Sequence, residues 1–203
     1  EEDVPEAAAK DFDEYVGNLH VFLTDIKNMQ MKIGLHTLGC PPEGDQLTEF
    51  LLALTKLDNG ETPSLTQTVA GMFGFDYYEL LENSGKMLPD GSKTYGMLID
   101  EIREKCRETI LLLTENEFDA SRVGEVWTIP WTEHLTGELR ERFLQVCGRI
   151  CTHMAPALFN TTLEMTNLTA AMSGAYVEPG PSGAPTSGGA DLLPTGRNFY
   201  SID

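Results

Sequence analysis

His36 has the neighbours that chemistry asks for. It lies between Gly34 and Gly39, outside any helical stripe, with Glu43 and Asp45 shortly after it. An imidazole close to carboxylates can carry a proton or hold a metal. The plainer alternative is a histidine bonded to backbone. The other three histidines read as packing or surface residues. His20 flanks the apolar stripe of the first segment, His134 follows Glu133 in a first helical turn, and His153 sits at a helix tail, where a cation suits the dipole. Cys147 and Cys151 stand four apart on a helical stretch and share a face. They read as two small buried apolar residues rather than as a metal pair.

The tract from Tyr176 to Gly196 is the most specific feature. Gly180, Gly183, Gly188, Gly189 and Gly196 alternate with Pro179, Pro181, Pro185 and Pro194. Glycines let backbone approach a ligand closely, and prolines stiffen a loop at low entropic cost. The amides of such a loop can form an anion-binding nest. Arg197 is the only cation between Tyr176 and Asp203 and can grip a carboxylate in bidentate fashion. The alternative is a rigid surface loop packed against another domain. Common catalytic signatures are missing. There is no H-E-x-x-H, no paired C-x-x-C and no G-x-S-x-G elbow, and Gly188-Gly189 is followed by Ala190-Asp191 where a phosphate loop needs Lys and Ser or Thr. ATP hydrolysis on this chain is therefore not expected. Asn160-Thr161-Thr162 and Asn167-Leu168-Thr169 fit the glycosylation pattern but read as helix caps and helix surface.

The elements that must position these residues are helical. Tyr15, Leu19, Phe22, Ile26, Met29 and Ile33 draw one apolar stripe that ends at Gly34. Leu35 to Leu38 reads as a short strand or extended connector. After Pro41-Pro42 a helix buries Leu47, Phe50, Leu51, Leu54 and Leu57, and Asp58-Asn59-Gly60 is a turn. Ser64 with Gln67 suggests a capping box, and Asp76 a further cap. Ser92 is the expected start of a long helix with Leu98, Ile102, Cys106, Thr109 and Leu113 inside. Trp127 to Trp131 reads as a loop. Leu135, Leu139, Phe143, Val146 and Ile150 mark the next helix, which Pro156 kinks or ends, and a last one runs from Thr161 to Met172 with Gly174 as its cap. The expectation is a mainly α fold: a helical domain over 1–175, with a possible subdomain break near 119–132. A long Gly/Pro-rich loop over 176–203 leads into a next element that is not in the chain, and there are at most a few short strands.

Composition limits the partners. The chain has 203 residues, 14 Lys+Arg against 32 Asp+Glu, and a net charge of −18. That balance argues against nucleic acid and against anionic membrane surfaces. No apolar run approaches the ~20 residues of a membrane span. Glu1-Glu2-Asp3 is unlike the basic start of a signal peptide, and the four scattered cysteines fit a reducing, cytoplasmic setting.

Two long motifs carry a family resemblance. Tyr176-Val177-Glu178-Pro179-Gly180-Pro181-Ser182-Gly183-Ala184-Pro185-Thr186 and Leu193-Pro194-Thr195-Gly196-Arg197-Asn198-Phe199-Tyr200-Ser201-Ile202-Asp203 closely resemble the large subunit of tetrapyrrole metal chelatases. So do Gly34-Leu35-His36-Thr37-Leu38-Gly39, Pro42-Glu43-Gly44, Phe50 to Thr55 and Leu57 to Leu65. The family is that of CobN, the large subunit of aerobic cobaltochelatase, with the related H subunit of magnesium chelatase. The stretch from about Lys86 to Trp131 matches only loosely. Ser-Gly-Ala-Pro-Thr and Arg-Asn-Phe-Tyr-Ser look more like the cobalt branch than the magnesium branch.

The resemblance implies a subunit that binds the tetrapyrrole and the metal, cobalt or magnesium, while AAA+ ATPase and adaptor subunits use ATP-Mg to drive insertion. It implies no cofactor resident in this segment. For the cobalt branch the macrocycle is a corrin precursor of the hydrogenobyrinic acid a,c-diamide type, in cobalamin biosynthesis. The family's large subunit is several times longer, so the chain reads as an internal fragment, inactive alone. The site expected is His36 as proton acceptor or metal ligand, with Ser182, Thr195, Arg197 and Asn198 as donors to tetrapyrrole carboxylates. The alternatives are a role like that of the magnesium chelatase large subunit and a non-catalytic helical scaffold or interaction segment.

Overall fold

The computed structural model describes residues 37–181, 185–186 and 188–197, together with Val16. The apolar stripe from Tyr15 to Ile33, His36, Ser182 and the segment from Asn198 to Asp203 lie outside the described residues. Apart from Val16, everything below belongs to the unit His36–Asp203.

The fold is helical, as its apolar stripes require. Helix α1, Gly44–Leu54, buries Leu47, Leu51, Leu52 and Leu54. Helix α2, Leu65–Met72, starts where the Ser64 side chain accepts the Gln67 amide. Gln67 does not return the bond. Its side chain reaches on to Asp76 and to the Tyr77 amide, and Asp58 accepts the Ser64 N–H at 2.6 Å instead. Half of the box is thus supplied from another turn. Helix α3, Tyr77–Glu82, is capped by Asp76, which accepts the amides of Tyr78 and Glu79.

Helix α4, Tyr95–Glu115, is the central rod. Its cap is Thr94 rather than Ser92: the Ser92 amide and hydroxyl both bond Asp90, which closes the Pro89-Asp90-Gly91 turn and delays the helix. Leu98, Ile102, Cys106, Thr109 and Leu113 are all buried, as their spacing demands. α1, α2 and α3 each pack on α4. At the α1–α4 edge Arg103 and Arg107 both meet Glu49, the former at 2.5 Å.

The segment read as a loop, Trp127 to Trp131, falls within two 3-10 stretches, Ala120–Thr128 and Pro130–His134. Threefold turns carry no 3.6-residue pattern, so periodicity missed them. They bring Trp127 and Trp131 against Phe143, each ring 5.6 Å away. Phe143 belongs to α5, Gly137–Arg149, which packs on α2. Beyond Arg149 the ladder widens into a π turn, Ile150–Met154, and α6, Ala155–Phe159, restarts with Pro156 in its first turn, where a missing N–H does no harm. A 3-10 turn, Asn160–Thr162, leads into α7, Leu163–Met172. Gly174, at φ +79°, ends it, with Ala175 N–H donating to Ala170 O. Among the described residues no strand forms. Two isolated bridges, Asn59 with Thr62 and Met87 with Thr94, close tight turns.

Candidate functional site

Glu164 stands in the first turn of α7, where the helix dipole favours an acid, and is buried at 2% exposure. One carboxylate oxygen accepts the backbone N–H of Gly39 at 2.9 Å, from 125 residues earlier. The other accepts the hydroxyl hydrogen of Thr195, from 31 residues later. The two contacts join the turn that follows His36 to the strap that precedes Asn198. Thr37 to Cys40 form a tight turn with Gly39 at φ +74°. A side chain at Gly39 would collide with Met165. Gly196, at φ +83°, lies against α7 so closely that a Cβ would stand 2.7 Å from the Glu164 Cα. Asn167, one turn on, donates to the Gly196 carbonyl at 3.1 Å.

The rest of the strap is held by the body of the fold. Ala190 N–H donates to the Asn59 side chain at 2.8 Å, and that side chain in turn donates to the carbonyls of Leu54 and Leu57. Gly188, at φ +82°, passes so near the Asp58 carbonyl that a Cβ would approach its oxygen to 3.0 Å. Arg149 reaches Asp191 at 3.0 Å, and Leu193 is buried. The strap thus packs as a tertiary element although its composition reads as loop.

Of the expected donors, Thr195 and Arg197 fall within the described residues. The Thr195 hydrogen is directed to Glu164. Arg197 is partly exposed, its Nε donates to the Pro194 carbonyl at 3.3 Å, and its side chain crosses the backbone of Gly180. This brings the two ends of the Gly/Pro tract together. His36, Ser182 and Asn198 lie outside the described residues, and so does His20. His134 is exposed beside Glu133, and His153 is exposed at the seam between the π turn and the strap.

Cys106, Cys147 and Cys151 are buried, and burial pushes their thiols up, Cys151 to about 11 and the other two further. Cys40 is exposed. Among the described residues no group of three or more His, Cys, Asp and Glu side chains could hold a metal, and no helix there is long and apolar enough to cross a membrane.

Sequence reasoning missed Glu164, Asn59 and Asn167. An acid in a first helical turn reads as a dipole partner in solvent, and Asn59-Gly60 reads as a turn. The signal that existed was indirect: Gly39 and Gly196 stand beside the expected site residues, where close backbone packing is worth suspecting.

These features belong to a helical module that docks a glycine-rich strap. The family model for CobN/Magnesium Chelatase matches residues 1–203. The chain belongs to the CobN/magnesium chelatase family. It is 30% identical over 215 residues to the aerobic cobaltochelatase subunit CobN of Sinorhizobium sp, covering 94% of this chain and 16% of that protein. It is 25% identical to the H subunit of the magnesium chelatase of Chlorobaculum parvum, over all of this chain and 16% of that protein. Among solved structures it resembles the catalytic subunit of cobaltochelatase from Mycobacterium tuberculosis. The TM-score is 0.59 and the identity 27%, over 84% of this chain and 12% of that one. The chain thus spans about a sixth of the length of the curated relatives it matches.

Proposed function

We propose that the chain is part of the large subunit of a tetrapyrrole metal chelatase, of the cobalt-inserting branch, and that the strap ending at Arg197 contacts the macrocycle's carboxylates. Family membership along the whole chain supports the reaction class. The convergence of the Thr37–Cys40 turn and the Thr195–Arg197 strap on Glu164 is the observation that supports the location.

Metal insertion exchanges inner ring N–H protons for a divalent ion, one for a corrin and two for a porphyrin, and each displaced proton must leave. In this reading His36 accepts a proton or holds the incoming ion. Arg197, with Ser182, Asn198 and the loop amides, binds carboxylates, and Thr195 anchors the strap that carries Arg197. A guanidinium can pair a carboxylate through two parallel N–H bonds, which fixes orientation as well as affinity. The chain's net charge of −18 opposes an anionic ligand at long range, so binding rests on these local donors. The cobalt branch rests on the Ser-Gly-Ala-Pro-Thr and Arg-Asn-Phe-Tyr-Ser forms, and a corrin precursor of the hydrogenobyrinic acid a,c-diamide type is the substrate proposed. AAA+ ATPase and adaptor subunits are the proposed partners, with ATP-Mg on them. A magnesium-inserting role is the runner-up within the family.

A scaffold reading draws on a different observation. Met165, Met172 and Tyr176 are exposed along and just beyond α7, an apolar surface suited to another part of an assembly. A Soret-band titration with a carboxylated tetrapyrrole separates the two. A band shift with the complete subunit that weakens on Arg197→Ala supports ligand contact at the strap. An identical shift in both proteins removes Arg197 from the ligand and favours the scaffold.

A further inference from the structure

We infer that Glu164 is a positioning residue for tetrapyrrole binding, fixing the Thr195–Arg197 strap to the Thr37–Cys40 turn so that Arg197 on the strap is presented to the ligand in one geometry. The inference rests on the chelatase reading above and adds to it the residue that assembles the site.

The geometry separates this role from ordinary packing. Each oxygen of one buried carboxylate takes a hydrogen from a different segment, Gly39 N–H on one side and Thr195 O–H on the other. Both segments also carry a glycine in the left-handed region pressed on the same turn of α7, Gly39 on Met165 and Gly196 on Glu164 itself. A carboxylate that only stabilised α7 would need neither. Loss of the carboxylate leaves the two segments without their common partner, and each is then held by its remaining contacts alone. One side chain that accepts from two segments far apart in sequence is a joint between them.

Substitution by glutamine gives a selective probe. The Glu164→Gln side chain keeps the shape, and its oxygen still accepts the Gly39 N–H. Its amide can donate to the Thr195 oxygen, because a hydroxyl serves as donor or acceptor. Glu164→Ala removes the contacts to Gly39 and Thr195, and Thr195→Val removes the second of these.

The experiment uses the complete subunit and two readouts. Hydrogen exchange followed by mass spectrometry reports residues 37–40 and 188–197, and a Soret titration with a carboxylated tetrapyrrole reports affinity. Glu164→Ala is expected to speed exchange in both segments, Thr195→Val in the strap alone, and Glu164→Gln in neither. Affinity is expected to fall roughly tenfold in Glu164→Ala, in the range set by leaving buried hydrogen-bonding groups unpaired, and to recover in Glu164→Gln. Glu164→Ala with Arg197→Ala is expected to bind no worse than the weaker single variant. Full additivity of the two, or wild-type affinity in a Glu164→Ala protein whose strap exchanges fast, overturns the inference. If Glu164→Ala does not fold, Thr195→Val carries the same affinity test. A wild-type subunit that gives no Soret shift overturns the chelatase reading itself, and the exchange pattern still tests whether Glu164 is the joint.

Discussion

The side chain of Arg197 lies across the backbone of Gly180, so closely that a Cβ at 180 would stand 2.7 Å from its Nε. The contact brings residue 180, near the start of the Gly/Pro tract, against residue 197, just past its end. Gly180 serves here by having no side chain, and not by its backbone angles. Alanine is therefore tolerated by the chain and not by Arg197. Gly180→Ala should leave the melting temperature nearly unchanged and weaken tetrapyrrole binding in the same direction as Arg197→Ala. Thermal melts beside a Soret titration check this. Unaltered affinity would show that the crossing does not set the guanidinium's place.

Asn59 should matter far more than a turn residue usually does. Its side chain satisfies the Leu54 and Leu57 carbonyls and the Ala190 amide while only 7% exposed. Asn59→Ala orphans these groups and should cost about 1–3 kcal/mol. Urea denaturation measures it, and hydrogen exchange over 188–193 should quicken. Arg149→Ala removes the exposed pair with Asp191 and should cost under ~1 kcal/mol.

The four thiols should separate by reactivity. A thiolate is the reacting species, and burial disfavours it at Cys106, Cys147 and Cys151. Ellman's reagent at neutral pH should label Cys40 rapidly and the other three only after unfolding. A second fast thiol in the native protein would contradict the burial of Cys106 on α4 and Cys147 on α5.

Acid should weaken the α3 cap. The Glu79 amide, then Gln67 and the Tyr78 amide, hold the Asp76 carboxyl below its ordinary 3.8. A lowered value means that the cap's contribution is complete above the unfolded value and is lost as pH falls through the lower, folded one. Asp76→Asn still caps the helix but cannot titrate, so it should flatten the stability curve below about pH 4 and change it little above about pH 5. Denaturation midpoints across that range read the difference.

Much of the helical framework was legible in the sequence. Leu98, Ile102, Cys106, Thr109 and Leu113 face inward as their spacing requires, and Ser64, Asp76 and Gly174 cap where their chemistry suits. Ser92 was misleading because a nearby Asp90 competes for its hydrogen bonds. The stretch from Ala120 to His134 escaped because 3-10 turns hide their order from a helical period. The Glu164 junction escaped for a deeper reason. It ties residues 39, 164 and 195 together, and no local pattern encodes a contact spanning 125 positions. Gly39 and Thr195, which Glu164 joins, lie within the motifs that contain His36 and Arg197.

In the proposed function Arg197 recognises carboxylates of a tetrapyrrole. The direct measurement compares wild type and Arg197→Ala in the complete subunit, each titrated with a carboxylated macrocycle and with its methyl ester. Arg197→Ala should bind the free acid roughly tenfold more weakly and the ester as well as wild type does, because only the ionised carboxylate makes the charged pair. Equal affinities for the free acid, or an equal loss for acid and ester, would contradict it.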